Sequence, residues 1–165
     1  METHAIEPVY TAQSTRLILG SFPSVKSREG NFFYHHPQNR FWKVIAYLCQ
    51  EKEPCTISEK KSLLLRHHIA LWDVIQSCHI IGSSDQSITN VVVNDITTLL
   101  DSTAITMIYT NGNVAHKLYH KHIESMTHIP AISLPSTSPA NAQYTVEALC
   151  RVWKERMGID YEKYG

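Results

Sequence analysis

Short, mainly apolar runs alternate along this chain with stretches in which apolar residues recur every three or four positions. Residues 16–19 form one such run and stop at Gly20, the pattern of a strand covered on both faces. Residues 68–72, 103–109 and 129–134 repeat the pattern and are expected as three more strands. Between them, Phe41, Val44, Ile45 and Leu48 place an apolar face on a helix over 40–49, with the side chain of Asn39 available to cap it. Thr56 and Glu59 fit a capping box that opens a helix reaching Arg66. Asn94 is expected to cap a short helix over 95–100, and Asn111-Gly112-Asn113 to turn into a helix whose inner face carries Val114, Ala115, Leu118 and Tyr119. Asn141 is expected to cap the last helix, striped by Val146, Leu149, Val152 and Trp153. Strands alternating with helices imply an α/β fold, a three-layer α/β/α sandwich around a central four-stranded parallel sheet. The first fifteen residues read as a polar arm or short helix, residues 78–89 as a loop, and residues 161–165 as a fraying end.

At 165 residues the chain is expected to be one domain, 1–165. It has no apolar run long enough to span a bilayer, and its start lacks a basic segment followed by an apolar one, so no membrane association is expected and the protein is placed in the cytoplasm, or with the nucleoid in a prokaryote. Cys49, Cys55, Cys78 and Cys150 show no CxxC pair and no zinc or iron-sulfur spacing, which leaves buried thiols as the expectation and no cofactor. The histidines at 35–36, 67–68 and 116, 120 and 122 have no evident acidic or cysteine partners, so no metal is expected either. Formal charge is zero with histidine neutral, which excludes a protein that coats nucleic acid by electrostatics alone. A local basic face from Lys26, Arg28, Arg40, Lys43, Lys117 and Lys121 stays open, as does a solvated mixed-charge surface.

Chemistry gathers at the ends of the expected strands. The first runs into Gly20-Ser21-Phe22-Pro23-Ser24, and Phe32-Phe33-Tyr34-His35-His36 packs flat rings into the segment before the next helix. Open α/β sheets bind ligands at such strand ends, and aromatic loops stack on flat ligands. Asp73 ends the second strand, and Pro135-Ser136-Thr137-Ser138-Pro139 follows the fourth. By residue type alone, Asn39 is a helix cap, Asp73 caps a turn and the serines are turn residues.

Gly-Ser-Phe-Pro-Ser at 20–24 and His-Pro-Gln-Asn-Arg-Phe-Trp-Lys at 36–43 resemble the first motif region of the uracil-DNA glycosylase superfamily, most nearly its hypoxanthine-DNA (deoxyinosine) glycosylase branch. Mismatch-specific uracil glycosylases carry a similar segment. The likeness continues through 71–75, 84–95 and 134–141, so it spans most of the chain.

The resemblance implies a monofunctional hydrolase of base excision repair that removes deaminated bases, chiefly hypoxanthine, from DNA as a monomer without metal or cofactor. A uracil or mismatch-uracil glycosylase and a non-catalytic module for damaged bases are the competing readings. Many relatives place a water-positioning Asp or Asn two residues after the first-motif glycine, where this chain has Phe22. In the hypoxanthine branch the catalytic role falls to the asparagine that is Asn39 here, orienting water and stabilising charge. Asp73 stands where relatives carry a base-reading side chain; it would accept from the ring N–H of hypoxanthine or, with a raised pKa, donate to the departing purine. Gly20, Ser21 and Phe22 would meet the base edge, Phe33 or Tyr34 would stack on it, and Ser24, Ser136, Thr137 and Ser138 would hold DNA phosphates.

Overall fold

The computed structural model describes residues 1–4 and 6–159, in which two sheets share the chain. The smaller begins with β1 (Glu2–Thr3) and the larger with β2 (Arg16–Gly20). Leu17 and Leu19 enter one hydrophobic core and Ile18 the other, all fully buried, which is the period-two alternation of a strand covered on both faces. Next come α1 (Val25–Gly30), α2 (Phe41–Cys49), α3 (Ile57–Arg66) and β3 (Ile69–Asp73). After Val74 the chain enters β4 (Ile75–His79), passes a short 3-10 turn at Asp85–Ser87 and returns as β5 (Thr89–Val93). Then follow α4 (Ile96–Asp101), β6 (Met107–Asn111), α5 (Asn113–His122), α6 (Glu124–Thr127), β7 (Ile132–Leu134) and α7 (Val146–Met157).

The larger sheet is parallel throughout, in the order β3-β2-β6-β7. Phe41, Leu63 and Trp153 bring α2, α3 and α7 into the core on one face; Ile96, Leu99 and Tyr119 bring α4 and α5 into the core on the other. The expected three layers are therefore present. Strand order reverses between β2 and β6, and in open parallel sheets the crevice at the carboxyl ends beside such a reversal is where ligands bind.

Several expectations change. The first residues are neither arm nor helix: β1 pairs antiparallel with β4, Val9 bridges to Leu71, and Ile6 and Val9 are core residues. The expected loop over 78–89 includes the end of one strand and the start of another, because β1, β4 and β5 form an antiparallel sheet. The helix after residue 94 is capped by Asp95, whose carboxylate accepts from the Thr98 N–H; Asn94 is buried and donates its amide to the Asp73 carbonyl at 2.9 Å. The last helix is capped by Thr145. Cys55 is exposed in the charged loop before α3, unlike buried Cys49, Cys78 and Cys150. Residues 161–165 lie outside the described residues.

Candidate active site

The carboxyl ends of all four parallel strands meet at one cavity of about 320 Å³. Gly20 ends β2, Asp73 ends β3, Asn111 ends β6, and Ser136 stands two residues beyond β7. Ser21, Phe22, Ser24, Phe33, Tyr34, Asn39, Thr137 and Ser138 complete most of the lining, so every residue expected to catalyse, meet the base or hold phosphate lines one space, and none of the six lysines and arginines left open for a basic face does. Asp85 and Asn111 are also there, and the sequence reading missed both. Asp85 lay in an expected loop and Asn111 in an expected turn; only the return of β4 and β5 and the strand order bring them in.

One wall is a chain of hydrogen bonds with fixed polarity. The Asn39 carbonyl oxygen accepts from the Phe41 N–H at 2.9 Å, but the N-cap of α2 is Arg40, which makes no side-chain cap bond; Asn39 stands one residue earlier and closes a turn onto the helix start, not the expected cap. The same oxygen accepts from the Thr137 hydroxyl at 2.9 Å. Thr137, fully buried, in turn accepts from the Asn111 amide at 3.0 Å and donates its backbone N–H to Asn111 Oδ1 at 3.1 Å. Arg40 locks this wall from behind. Its guanidinium donates to the carbonyls of Thr137, Ser138, Asn141 and Tyr144, and its backbone N–H to Thr137 as well. Arg40 is therefore directed into the protein, whereas the sequence had left it open for a basic outer face. Arg28 is similarly engaged, donating to the carbonyls of Pro23 and Gly82 and pairing with Glu2 at 3.3 Å.

The opposite wall holds polar groups without partners. Asp73 is 3% exposed, and its Oδ2 has no hydrogen-bond partner among the described residues; neither does the Tyr34 hydroxyl. Gly20 lets them approach, since a Cβ there would lie 2.5 Å from Asp73 Oδ1 and 2.8 Å from the Tyr34 hydroxyl. Tyr34 adopts a left-handed backbone, φ 52°, and its ring stacks on Phe41 with centroids 4.1 Å apart. Burial, and next the charge of Asp85, raise the Asp73 pKa to about 8. Burial likewise raises Asp85, opposed by the Ser21 hydroxyl, which donates to it at 3.0 Å. Burial and then the Asp73 charge raise Tyr34, while the nearby Asn111 side chain works against the rise.

Behind Asp73 stands His4. The Ile6 N–H donates to His4 Nδ1 at 3.3 Å, which puts the ring proton on Nε2, where it reaches the Ile75 carbonyl at 2.8 Å. Burial lowers the His4 pKa, so the 3.9 Å approach of Nε2 to Asp73 Oδ2 brings together two neutral groups and is not an ion pair.

The remaining candidates divide. Phe22 is nearly buried, with His4 edge-on at 5.3 Å, and offers the cavity only hydrocarbon. Phe33 is 1% exposed at the cavity floor. Ser24 spends its hydroxyl on the cap of α1, Ser136 accepts from the Ser138 N–H and Ser138 from the Ala140 N–H. Thr137, expected to hold a phosphate, has its hydroxyl engaged on both sides and holds Asn39 instead. Among the described residues no group of three or more His, Cys, Asp or Glu is placed to hold a metal. His116 bonds to Thr110 and His120 pairs with Glu124. No described helix is long and apolar enough to cross a membrane.

This geometry has counterparts among known proteins. A hypoxanthine DNA glycosylase from Methanosarcina acetivorans is 33% identical over 131 residues, covering 78% of this chain and 82% of that one. Another from Methanosarcina barkeri is 28% identical over 143 residues, covering 86% and 89%. The solution structure of a provisionally named uracil DNA glycosylase from Methanosarcina acetivorans superposes with a TM-score of 0.77 at 26% identity, covering 94% of this chain and 98% of that one. The family model of the uracil DNA glycosylase superfamily matches residues 7–155, and the chain belongs to that superfamily.

Proposed function

We propose that this protein is a monofunctional DNA glycosylase that hydrolyses the bond between deoxyribose and a deaminated base, chiefly hypoxanthine, acting as a single domain and a monomer on DNA. The observation that carries the reading is the pair Asp73 Oδ2 and the Tyr34 hydroxyl, buried without a hydrogen-bond partner among the described residues in a cavity where four strand ends meet. Buried polar atoms without partners cost folding free energy, and a bound base supplies the missing hydrogen bonds. Two relatives named hypoxanthine DNA glycosylase support the choice of base.

A flipped purine enters the cavity against Phe33 and Tyr34, with Gly20, Ser21 and Phe22 at its edge. Water oxygen bonds to C1′ while the C1′–N9 bond breaks; its electron pair leaves with the base, and one water proton is lost in exchange for one gained by the base. Positive charge develops on the sugar and negative charge on the base. Asp73, protonated at neutral pH because its pKa lies near 8, is the group that donates to the departing purine. Asn39 is the second catalytic side chain. Ser24, Ser136 and Ser138, at the rim, meet backbone phosphates, through backbone N–H groups where their hydroxyls are engaged. No metal or cofactor enters this scheme. Nor does an amine nucleophile, since no lysine among the described residues lines the cavity.

The test is base release from duplex oligonucleotides carrying one hypoxanthine, one uracil or no lesion, followed by mass spectrometry of the freed base. We expect hypoxanthine release, an intact abasic strand and no borohydride-trapped adduct. Uracil release alone would move the reading to a uracil glycosylase, and lesion-dependent binding without any release would make the protein a binding module.

A further inference from the structure

Asn39 has an orientation that the hydrogen bonds determine, and the orientation limits its chemistry. A backbone N–H can only donate, so the atom 2.9 Å from the Phe41 nitrogen is the amide oxygen of Asn39. The same logic fixes Asn111, whose oxygen faces the Thr137 N–H and whose amide nitrogen therefore donates to Thr137 Oγ1. With that lone pair taken, the Thr137 hydroxyl proton points to Asn39 Oδ1. The Asn39 oxygen thus receives two donors, filling both of its lone pairs. Its amide nitrogen has no protein acceptor among the described residues, and it is the end left for the cavity that Asn39 lines.

We propose that Asn39 acts as a hydrogen-bond donor to the departing base through Nδ2, that it does not hold the attacking water by accepting from it, and that Thr137 is the positioning residue that imposes this polarity. The inference rests on the glycosylase reading and deepens it. An attacking water must give its proton to an acceptor; an N–H pointed at its oxygen offers none and draws electron density from the atom that must attack C1′. A departing purine gains electron density on its nitrogens and oxygen, and a preorganised N–H aimed there is worth most in the transition state. The sequence-based expectation that this residue orients water is therefore replaced by leaving-group stabilisation.

Asn39→Asp separates the two roles. A carboxylate keeps both acceptor contacts, to Phe41 and Thr137, but presents an oxygen to the cavity. Under single-turnover conditions at neutral pH with a hypoxanthine duplex, Asn39→Asp is expected to be no faster than Asn39→Ala, both falling about 10²–10³-fold. Asn39→Asp clearly faster than Asn39→Ala would overturn the proposal, because a carboxylate accepts from water better than an amide. Thr137→Val is expected to lose about 10–100-fold through misplacement, with Thr137→Ser near wild type. The loss in Asn39→Ala and Thr137→Val should be larger for hypoxanthine than for the more acidic leaving base xanthine; equal losses would also overturn the proposal. If Thr137→Val fails to fold, the Asn39 pair still decides. A wild-type chain that releases no base overturns the glycosylase reading itself, whereas an active wild type with an active Asn39→Asp overturns this inference alone.

Discussion

On one side of the pocket Asn39, Thr137, Asn111 and Arg40 are tied together through hydrogen bonds, while on the other Asp73 and Tyr34 bury polar atoms that no well-formed hydrogen bond satisfies among the described residues. The first wall makes its stabilising contacts during folding, so losing a member costs stability as well as geometry. The second carries an unmet desolvation cost during folding and recovers it when a ligand arrives. A fixed wall and an unmet wall together make a site that is rigid where it must aim and receptive where it must read.

The strongest way to break this contrast is Asp73→Asn. Base release should fall about 10²–10³-fold, the effect of losing one group placed for the transition state, while stability holds or improves because a buried carboxyl is gone. Wild type should also show a pH signature that the variant lacks. The folded Asp73 keeps its proton up to about pH 8, whereas the unfolded carboxyl releases it near ~3.9. Its contribution is fully present below the lower value and is lost as pH rises through the upper one. Urea unfolding at stepped pH should give a wild-type stability that declines from about pH 4 to pH 8, and a shallower decline in Asp73→Asn.

Arg40→Met tests the other wall and should behave in the opposite way. Removing a guanidinium that serves four carbonyls should cost about 3 kcal/mol, lowering Tm by about 6–12 °C as read by calorimetry. Activity should fall with it, since Thr137 and the segment after it lose their anchor. Should Arg40→Met keep its Tm, the satisfied wall would not be a stability element at all. Gly20→Ala, the smallest effect, sharpens the comparison at the contact between strand end and carboxyl. The new methyl meets Asp73 Oδ1 and the Tyr34 hydroxyl, and about 1–3 kcal/mol of stability should be lost. The loss should shrink in an Asp73→Ala background; an unchanged loss would show that crowding against Asp73 is not its source.

The two walls were not equally legible in the sequence. Gly20 and Asp73 follow apolar runs that announce buried parallel strands, so their place at the mouth of the sheet follows from periodicity and topology. The place of Asn39 beside the start of α2 is local and was readable too, although the cap itself is Arg40. Its partner Thr137 lies 98 positions away and the Arg40 contacts reach as far as Tyr144, and no spacing rule reports such pairings. Thr137 was accordingly set toward DNA phosphates and Arg40 left open for an outer face, whereas the Thr137 hydroxyl and the Arg40 guanidinium are both engaged within the protein. β4 and β5 were missed because Ile75-Gln-Ser-Cys-His mixes polar and apolar positions and becomes a strand only beside β1 and β5. α1 has a single buried residue, Ser27, and so no apolar periodicity to detect.

The Arg40 clasp also sets the order in which the molecule can be born. A ribosome delivers β2, the aromatic loop and α2 long before residues 137–144, and until those carbonyls emerge the guanidinium has none of its final acceptors. Contacts between such distant parts of the chain form late. A nascent chain cut off before that point would carry Gly20, Asn39 and Asp73 but no closed pocket, and catalytic competence would arrive only once residues 137–144 have emerged.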